Sequence, residues 1–390
     1  MAERTIVLAA GGTGGHMFPA RALAEALVKR GVRVALITDA RGAGFGDEVS
    51  GVETFRIVAG SPSGSLVERA RGLAKLARGY MQSKALLRRL APECVVGFGG
   101  YPSAPALMAA SRMGLPTVIH EQNAVLGRAN RMLAKRVDII ATAHEQVSGI
   151  AAADLFKAVK TGNPVRAAVV ALRDDPYPAP VPDGELRLLV LGGSQGARIL
   201  SDVVPQAIVR LPETKRARLS VVQQCRQEDL PQVREIYAAY RVRCVLETFF
   251  ADLPDRLHWC HLLIARAGAS TVAEISVAGR PAILVPYAAA TDDHQAANAR
   301  ALAAAGGAWM MREDSFQPKA LSARLEFYLR QPSTLMRAAA RAHEVGLPDA
   351  ANRLTDLVLR QAAGGANGGG AGRGGRSAAA RDTALRSMAA

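Results

Sequence analysis

Along this chain, short aliphatic and β-branched runs alternate with longer stretches whose apolar residues recur every three or four positions. That alternation predicts strands joined by helices, the pattern of a parallel α/β sheet. In the first half the strands fall at Thr5–Ala9, Arg33–Ile37, Cys94–Gly97, Thr117–His120 and Asp138–Ala141, with helices such as Ala20–Arg30 and Ala104–Met113 between them. Past Gly162 the pattern loosens into a proline-bearing stretch of mixed charge, 164–185, the best interdomain linker in the chain. The segment "LRLLVLGGSQGAR" then restarts the theme, followed by strands at Ser220–Gln223, Val242–Glu247, Leu262–Ala265 and Ala282–Pro286. Two doubly wound, Rossmann-like domains are expected, 1–163 and 186–345, each opening with a strand, a glycine loop and a helix. Ligands of such sheets lie outside the carboxyl ends of the strands, so the domains would face each other across a cleft.

The two loops, "GGTGGHMFPA" at 11–20 and "GGSQGAR" at 192–198, carry neither common nucleotide fingerprint. Met17 stands where the spacing from Gly12 and Gly14 would need a dinucleotide-site glycine, and no P-loop lysine follows either loop. Asp39, after the second strand, reads either as a ribose partner or as a solvated turn residue. What remains is general: glycines let backbone N–H groups approach a ligand, and the helix N-terminus beyond favours negative charge. Ser194 adds a hydroxyl suited to a phosphate oxygen. The bland reading is that these glycines only turn the chain; two equivalent loops weaken it. His16 also has two readings, a packing or capping residue or a proton acceptor. A helix N-terminus disfavours imidazolium, and a neutral imidazole facing a cleft can act as a general base.

Further polar clusters follow buried strands. "HEQN" gathers His120, Glu121, Gln122 and Asn123 at one strand exit, and "ARAGASTVAEI" places Arg266, Thr271 and Glu274 around another. Thr271 and Glu274 have the spacing of a capping box, so a purely structural pair is a serious alternative. "TDDHQAANA" supplies Asp292, Asp293, His294 and Gln295. Either aspartate suits a helix N-cap, and no third cluster supports a metal site.

Bulk composition sharpens this picture in one respect. Of 390 residues 49% are hydrophobic and 21% charged, ordinary for a globular chain, but the net charge is +15. Such an excess points to an anionic partner. Cys94, Cys225, Cys244 and Cys260 lack CxxC spacing, so neither a disulfide framework nor a zinc site is expected, and a reducing cytoplasm is the default. The start of the chain lacks signal-peptide character, and no apolar run of about 18 residues predicts a membrane span. Residues 363–390, rich in Gly, Ala and Arg, are expected to be a disordered tail.

In order, "GGTGGHMFPA", "GFGGYPSAP", "HEQN", "GNPVR", "GGSQGAR", "RAGASTVAEI" and "DDHQAANA" closely resemble the motifs of the MurG family. These are the UDP-N-acetylglucosamine–N-acetylmuramyl-(pentapeptide) pyrophosphoryl-undecaprenol N-acetylglucosamine transferases of bacterial peptidoglycan synthesis. The resemblance runs from about residue 4 to 360 and implies a GT-B glycosyltransferase. It implies inverting transfer of GlcNAc from UDP-GlcNAc to the 4-hydroxyl of a lipid-linked muramyl pentapeptide, without metal or cofactor. A final helix, 346–362, would cross back to the first domain. Carried over position by position, donor-binding residues would be Thr13, Gly14, Gly15, Asn123, Arg166 and Ser194. The nucleotide would lie against Ala269, Ser270, Thr271, Val272, Ala273 and Glu274, with Glu274 accepting from ribose hydroxyls. Phe250 would meet the uracil through its backbone and Gln295 the sugar. His16 is the candidate base, with His120 and Glu121 as supporting or acceptor-binding groups. The chain departs from the family pattern at Ala267, where serine is common, and at "DDHQ", which replaces paired glutamines and leaves the role of His294 open.

The same resemblance implies a peripheral protein at the cytoplasmic face of the inner membrane, with other cell-wall synthesis proteins as partners. The segment from Leu66 to Ala91 mixes Arg69, Arg71, Lys75, Arg78, Lys84, Arg88 and Arg89 with leucines, Tyr80 and Met81. It reads equally as an anionic-bilayer contact or as a solvated helix face. Three rivals share some of these features. Another GT-B enzyme, a glycolipid synthase or a UDP-GlcNAc epimerase, would share the donor site. A nucleic-acid-binding protein would explain the charge, but aromatics are only 5% and no binding module is recognisable. A nicotinamide oxidoreductase is disfavoured by the broken glycine fingerprint.

Overall fold

The first half of the chain builds one seven-stranded parallel sheet, from β1 (Thr5–Ala9), β2 (Arg33–Thr38), β3 (Val52–Arg56), β4 (Cys94–Gly97), β5 (Thr117–Glu121), β6 (Ile139–Thr142) and β7 (Ala158–Lys160), in the order β3-β2-β1-β4-β5-β6-β7. The second half builds a six-stranded parallel sheet, from β8 (Leu186–Leu191), β9 (Leu219–Gln224), β10 (Arg243–Glu247), β11 (Leu262–Ala265), β12 (Ala282–Leu284) and β13 (Ala308–Met310), in the order β10-β9-β8-β11-β12-β13. The structure, a computed structural model, describes residues 4–11, 14–40, 49–60, 65–194 and 196–366. Thr13 and most of the expected tail, 367–390, lie outside the described residues.

Central strands are buried along their whole length, as β1 and β11 are, because helices cover both faces of each sheet. The helices framing the cleft are α1 (Gly14–Lys29), α2 (Leu66–Leu90), α3 (Ser103–Arg112), α4 (Arg198–Val209), α5 (Ala269–Val277) and α6 (His294–Ala304), and a last helix, α7 (Ala350–Ala366), lies away from it. Helix α1 starts at Gly14 rather than Ala20, taking His16 into its first turn. Gly14, Gly15 and Pro19 are poor helix formers, but Met17, Pro19 and Ala20 are buried, so packing overrides propensity. β3, β7 and β13 are additions to the predicted strands; all are short, and β3 and β7 lie at the edges of their sheet.

Each sheet reverses its strand order once, between β1 and β4 and between β8 and β11. The chain passes from the first sheet to the second after β7. It returns through α7, whose Leu354, Leu357, Val358 and Ala362 join Leu23, Leu27 and Ile6 in a first-domain core cluster. α7 extends to Ala366, four positions into the segment expected to be disordered. At the crossing, Gly162 has φ +84°, and a Cβ there would stand 2.9 Å from Ala350 Cβ. Leu354 is fully buried, so Leu354→Ala is expected to cost about 3 kcal/mol. Urea denaturation followed by circular dichroism would show it as a lowered midpoint; an unchanged midpoint would mean that α7 does not stabilise the first domain.

Candidate functional site

The two strand-order reversals face each other across a cleft of about 2050 Å³, lined by both glycine loops. On the first-domain side, β1 ends at the loop preceding α1, and β4 ends in the "GFGGYPS" turn. Ser103 Oγ donates to the carbonyls of Ala9 and Gly99, each at 2.6 Å, and ties those two loops together. His16 stands between them. Gly99, at φ +89°, makes room for it, since a Cβ would sit 3.1 Å from His16 Cε1. His16 Nδ1 lies 3.2 Å from Gln122 Oε1.

The "HEQN" run divides into outward and inward groups. Glu121 is buried, and its carboxylate accepts from Asn123 N (3.0 Å), Asn123 Nδ2 (3.1 Å), Gly127 N and Asn130 Nδ2 (both 2.8 Å). It therefore shapes the loop that carries Asn123. His120 is fully buried behind the cleft lining, where Nε2 donates to Gly162 O at 2.9 Å and the ring stacks obliquely on Phe98. Burial pushes its pKa down to about 4, so it is neutral at pH 7. A direct acceptor contact by His120, allowed for by its sequence position, does not fit this burial.

On the second-domain side, Gln224 at the end of β9 clamps the glycine loop. Its Oε1 accepts from Gly192 N (3.1 Å) and its Nε2 donates to Gly193 O (3.1 Å) and Thr248 O (3.1 Å). Ser194 is exposed in the cleft ahead of α4. Helix α5 is capped by Gly268 with no side-chain cap bond, so the Thr271–Glu274 capping box is not formed. Glu274 instead accepts from Arg166 Nε at 2.7 Å, and Arg166 also lies 5.0 Å over the Phe18 ring of α1. Burial raises the Glu274 pKa, and the Arg166 bond opposes the rise. Gln295 Oε1 accepts from Tyr287 N at 3.0 Å.

Asp292 and Asp293 cap nothing with their side chains. Asp292 pairs across the cleft with Arg131 at 2.9 Å, and Asp293 lies 3.3 Å from both Arg300 and Arg312. His294 Nδ1 donates to Thr291 O at 2.7 Å. Asn298, within a motif whose signal lay in its acidic start, is fully buried on α6. Its Oδ1 accepts from Ala124 N (2.9 Å), and its Nδ2 donates to Asn123 Oδ1 (3.1 Å) and Ala267 O (3.2 Å), joining the domains.

Residues 6–142 match the glycosyltransferase family 28 N-terminal domain and residues 187–354 its C-terminal domain. The UDP-N-acetylglucosamine–N-acetylmuramyl-(pentapeptide) pyrophosphoryl-undecaprenol N-acetylglucosamine transferase of Rhodospirillum centenum is 57% identical over 368 residues, covering 94% of this chain and 97% of that one. The chain belongs to the MurG family. The enzyme of the same description from Paramagnetospirillum magneticum is 54% identical over 91% of this chain and 96% of its own. The crystal structure of Acinetobacter baumannii MurG superposes with a TM-score of 0.73 at 27% identity, covering 92% of this chain and 99% of that one. The fold is thus GT-B. A UDP-GlcNAc 2-epimerase from Neisseria meningitidis shares that fold alone, at 14% identity and a TM-score of 0.65 over 91% of this chain and all of its own.

Of the positions carried over from the MurG family, Gly14, Gly15, Asn123, Arg166, Ser194, Phe250, Gln295 and most of the Ala269–Glu274 segment line the cleft, as His16 and Glu121 do. Val272 and Ala273 face the other way, into the second-domain core. Asp39 is buried at the end of β2, away from the lining. Asn298→Ala leaves the buried Ala267 carbonyl and the half-buried Ala124 N and Asn123 side chain without this partner and should destabilise by about 2 kcal/mol. The urea midpoint reports it; a wild-type value would remove Asn298 as an interdomain tie.

Proposed function

We infer that this chain transfers GlcNAc from UDP-GlcNAc to the 4-hydroxyl of the muramyl sugar in undecaprenyl-pyrophosphoryl-MurNAc-pentapeptide, and that His16 is the general base. The observation that carries the second part is His16 on the wall of the cleft opposite the Ser194 loop. The acceptor oxygen bonds to the anomeric carbon as the carbon–oxygen bond to UDP breaks, inverting that centre. The bonding pair leaves with the diphosphate, and the acceptor proton passes to His16 Nε2. Loop N–H groups and Ser194, ahead of the α4 N-terminus, suit the growing negative charge on the leaving group. Glu274, held as a carboxylate acceptor by Arg166, suits the ribose hydroxyls. The Phe250 backbone meets the uracil, and Asn123, Gln295 and the Gly14–Gly15 turn meet the donor sugar and diphosphate. Glu121 acts through Asn123 rather than on substrate.

The acceptor is lipid-linked, which gives the basic charge a purpose. Helix α2 exposes Val67, Leu73 and Met81 beside Arg69, Arg71, Lys75 and Arg78. This face lies on an anionic bilayer, at the cytoplasmic side of the inner membrane. Among the described residues no helix is long and apolar enough to cross a membrane.

In a radiolabelled transfer assay, His16→Ala should lower kcat by about 10²–10⁴-fold. Its UDP affinity by calorimetry should stay near wild type. Intact turnover with weakened UDP binding would remove His16 as the base, and absence of transfer by the wild type would remove the reaction itself. In sedimentation with vesicles, the protein should bind those containing anionic lipid and be released by salt. Equal binding to neutral vesicles would refute the electrostatic contact.

A further inference from the structure

The proton count around Gln122 has a consequence for His16. Gln122 is buried at the end of β5, with Nε2 3.0 Å from Phe98 O, 3.0 Å from His120 O and 3.1 Å from His120 Nδ1. Only one orientation of the amide suits these neighbours. Turned over, its oxygen would face two carbonyl oxygens that cannot donate. His120 Nε2 must carry a proton, because its partner is the Gly162 carbonyl. A neutral His120 therefore has a bare Nδ1, which accepts from the Gln122 amide. The Gln122 oxygen is thus committed to His16, and an amide oxygen can only accept. His16 Nδ1, 3.2 Å away, must be the donor.

We propose that the Gly162 carbonyl, His120 and Gln122 form a relay that fixes the tautomer of His16, with the proton on Nδ1 and the lone pair on Nε2. Gln122 is a positioning residue: it touches neither substrate nor reacting atoms in this scheme, but sets which nitrogen of the base is free. The relay explains why a fully buried histidine stands behind the cleft lining, with the Gln122 amide between it and His16. The proposal rests on His16 as the base, yet the tautomer itself can be read without any turnover.

The full-length protein, ¹⁵N-labelled at histidine, is observed by long-range ¹⁵N–¹H NMR near neutral pH, with His16→Ala and His120→Asn spectra to assign the rings. His16 should show a protonated Nδ1 and a bare Nε2, and His120 the reverse. A protonated Nε2 on His16, or a protonated Nδ1 on His120, would overturn the relay. Gln122→Met removes the acceptor: kcat should fall about 10-fold, less than for His16→Ala, with KM for UDP-GlcNAc within about twofold. The His16 signals should then move toward a mixture of tautomers. Gln122→Glu places an oxygen against Phe98 O, His120 O and His120 Nδ1, so it must carry a proton on that side; its other oxygen still accepts from His16, and it should retain the Nδ1–H form and more of kcat than Gln122→Met. The reverse order, or a Gln122→Met protein with wild-type kcat and an unchanged tautomer, would refute the assignment. Should His16→Ala leave turnover intact, the base reading fails, while the wild-type spectrum still decides the relay.

Discussion

A parallel sheet whose strand order reverses at one point leaves a crevice there, because the connections on either side run to opposite faces. This chain makes that reversal twice, and nearly every polar group discussed above sits at one crevice or the other. The first collects the Gly14–Gly15 turn, the "GFGGYPS" loop and "HEQN" at the ends of β1, β4 and β5. The second collects the Ser194 loop and the start of α5 at the ends of β8 and β11. The second crevice offers loop N–H groups and Ser194, the first offers His16, and the proposed transfer draws on both. Asn298, Arg166 and the Arg131–Asp292 pair hold the two halves in register.

These ties differ in strength. The Arg131–Asp292 pair is exposed on both sides and screened by salt, so it adds little. Arg166 and Glu274 are much better covered, and the guanidinium opposes the rise that burial imposes on the carboxyl pKa. Asn298 is uncharged and has three short partners with no access to water, which makes it costly to disturb.

Much of this architecture was visible in the amino-acid sequence because parallel strands buried on both faces read as unbroken aliphatic runs. β1, β4, β8 and β11 all stand out that way, and the glycine loops mark where each meets its helix. β7 and β13 did not stand out, since three residues are too few for any period. The start of α1 was hidden by glycine and proline, whose propensities argue against a helix that packing nevertheless forms. Cleft-lining positions were legible when a motif carried them, as with Ser194, Arg166 and Glu274. The Thr271–Glu274 spacing misled toward a cap, because helix α5 begins earlier than that reading requires. The contacts of Gln122, Gln224 and Asn298 were illegible for another reason. Each side chain acts on backbone groups far away in sequence, and only the order of strands brings Phe98, Gly192 or Ala267 within reach.

The two polypeptide crossings between the domains touch, Gly162 against Ala350 and Leu347. Two tethers that meet at one place restrict twisting and sliding there more than a swing about it, like a cover on its spine. The backbone that would bend in such a swing includes the carbonyl to which His120 is anchored. Such a swing would reach, through His120 and Gln122, the wall that carries His16.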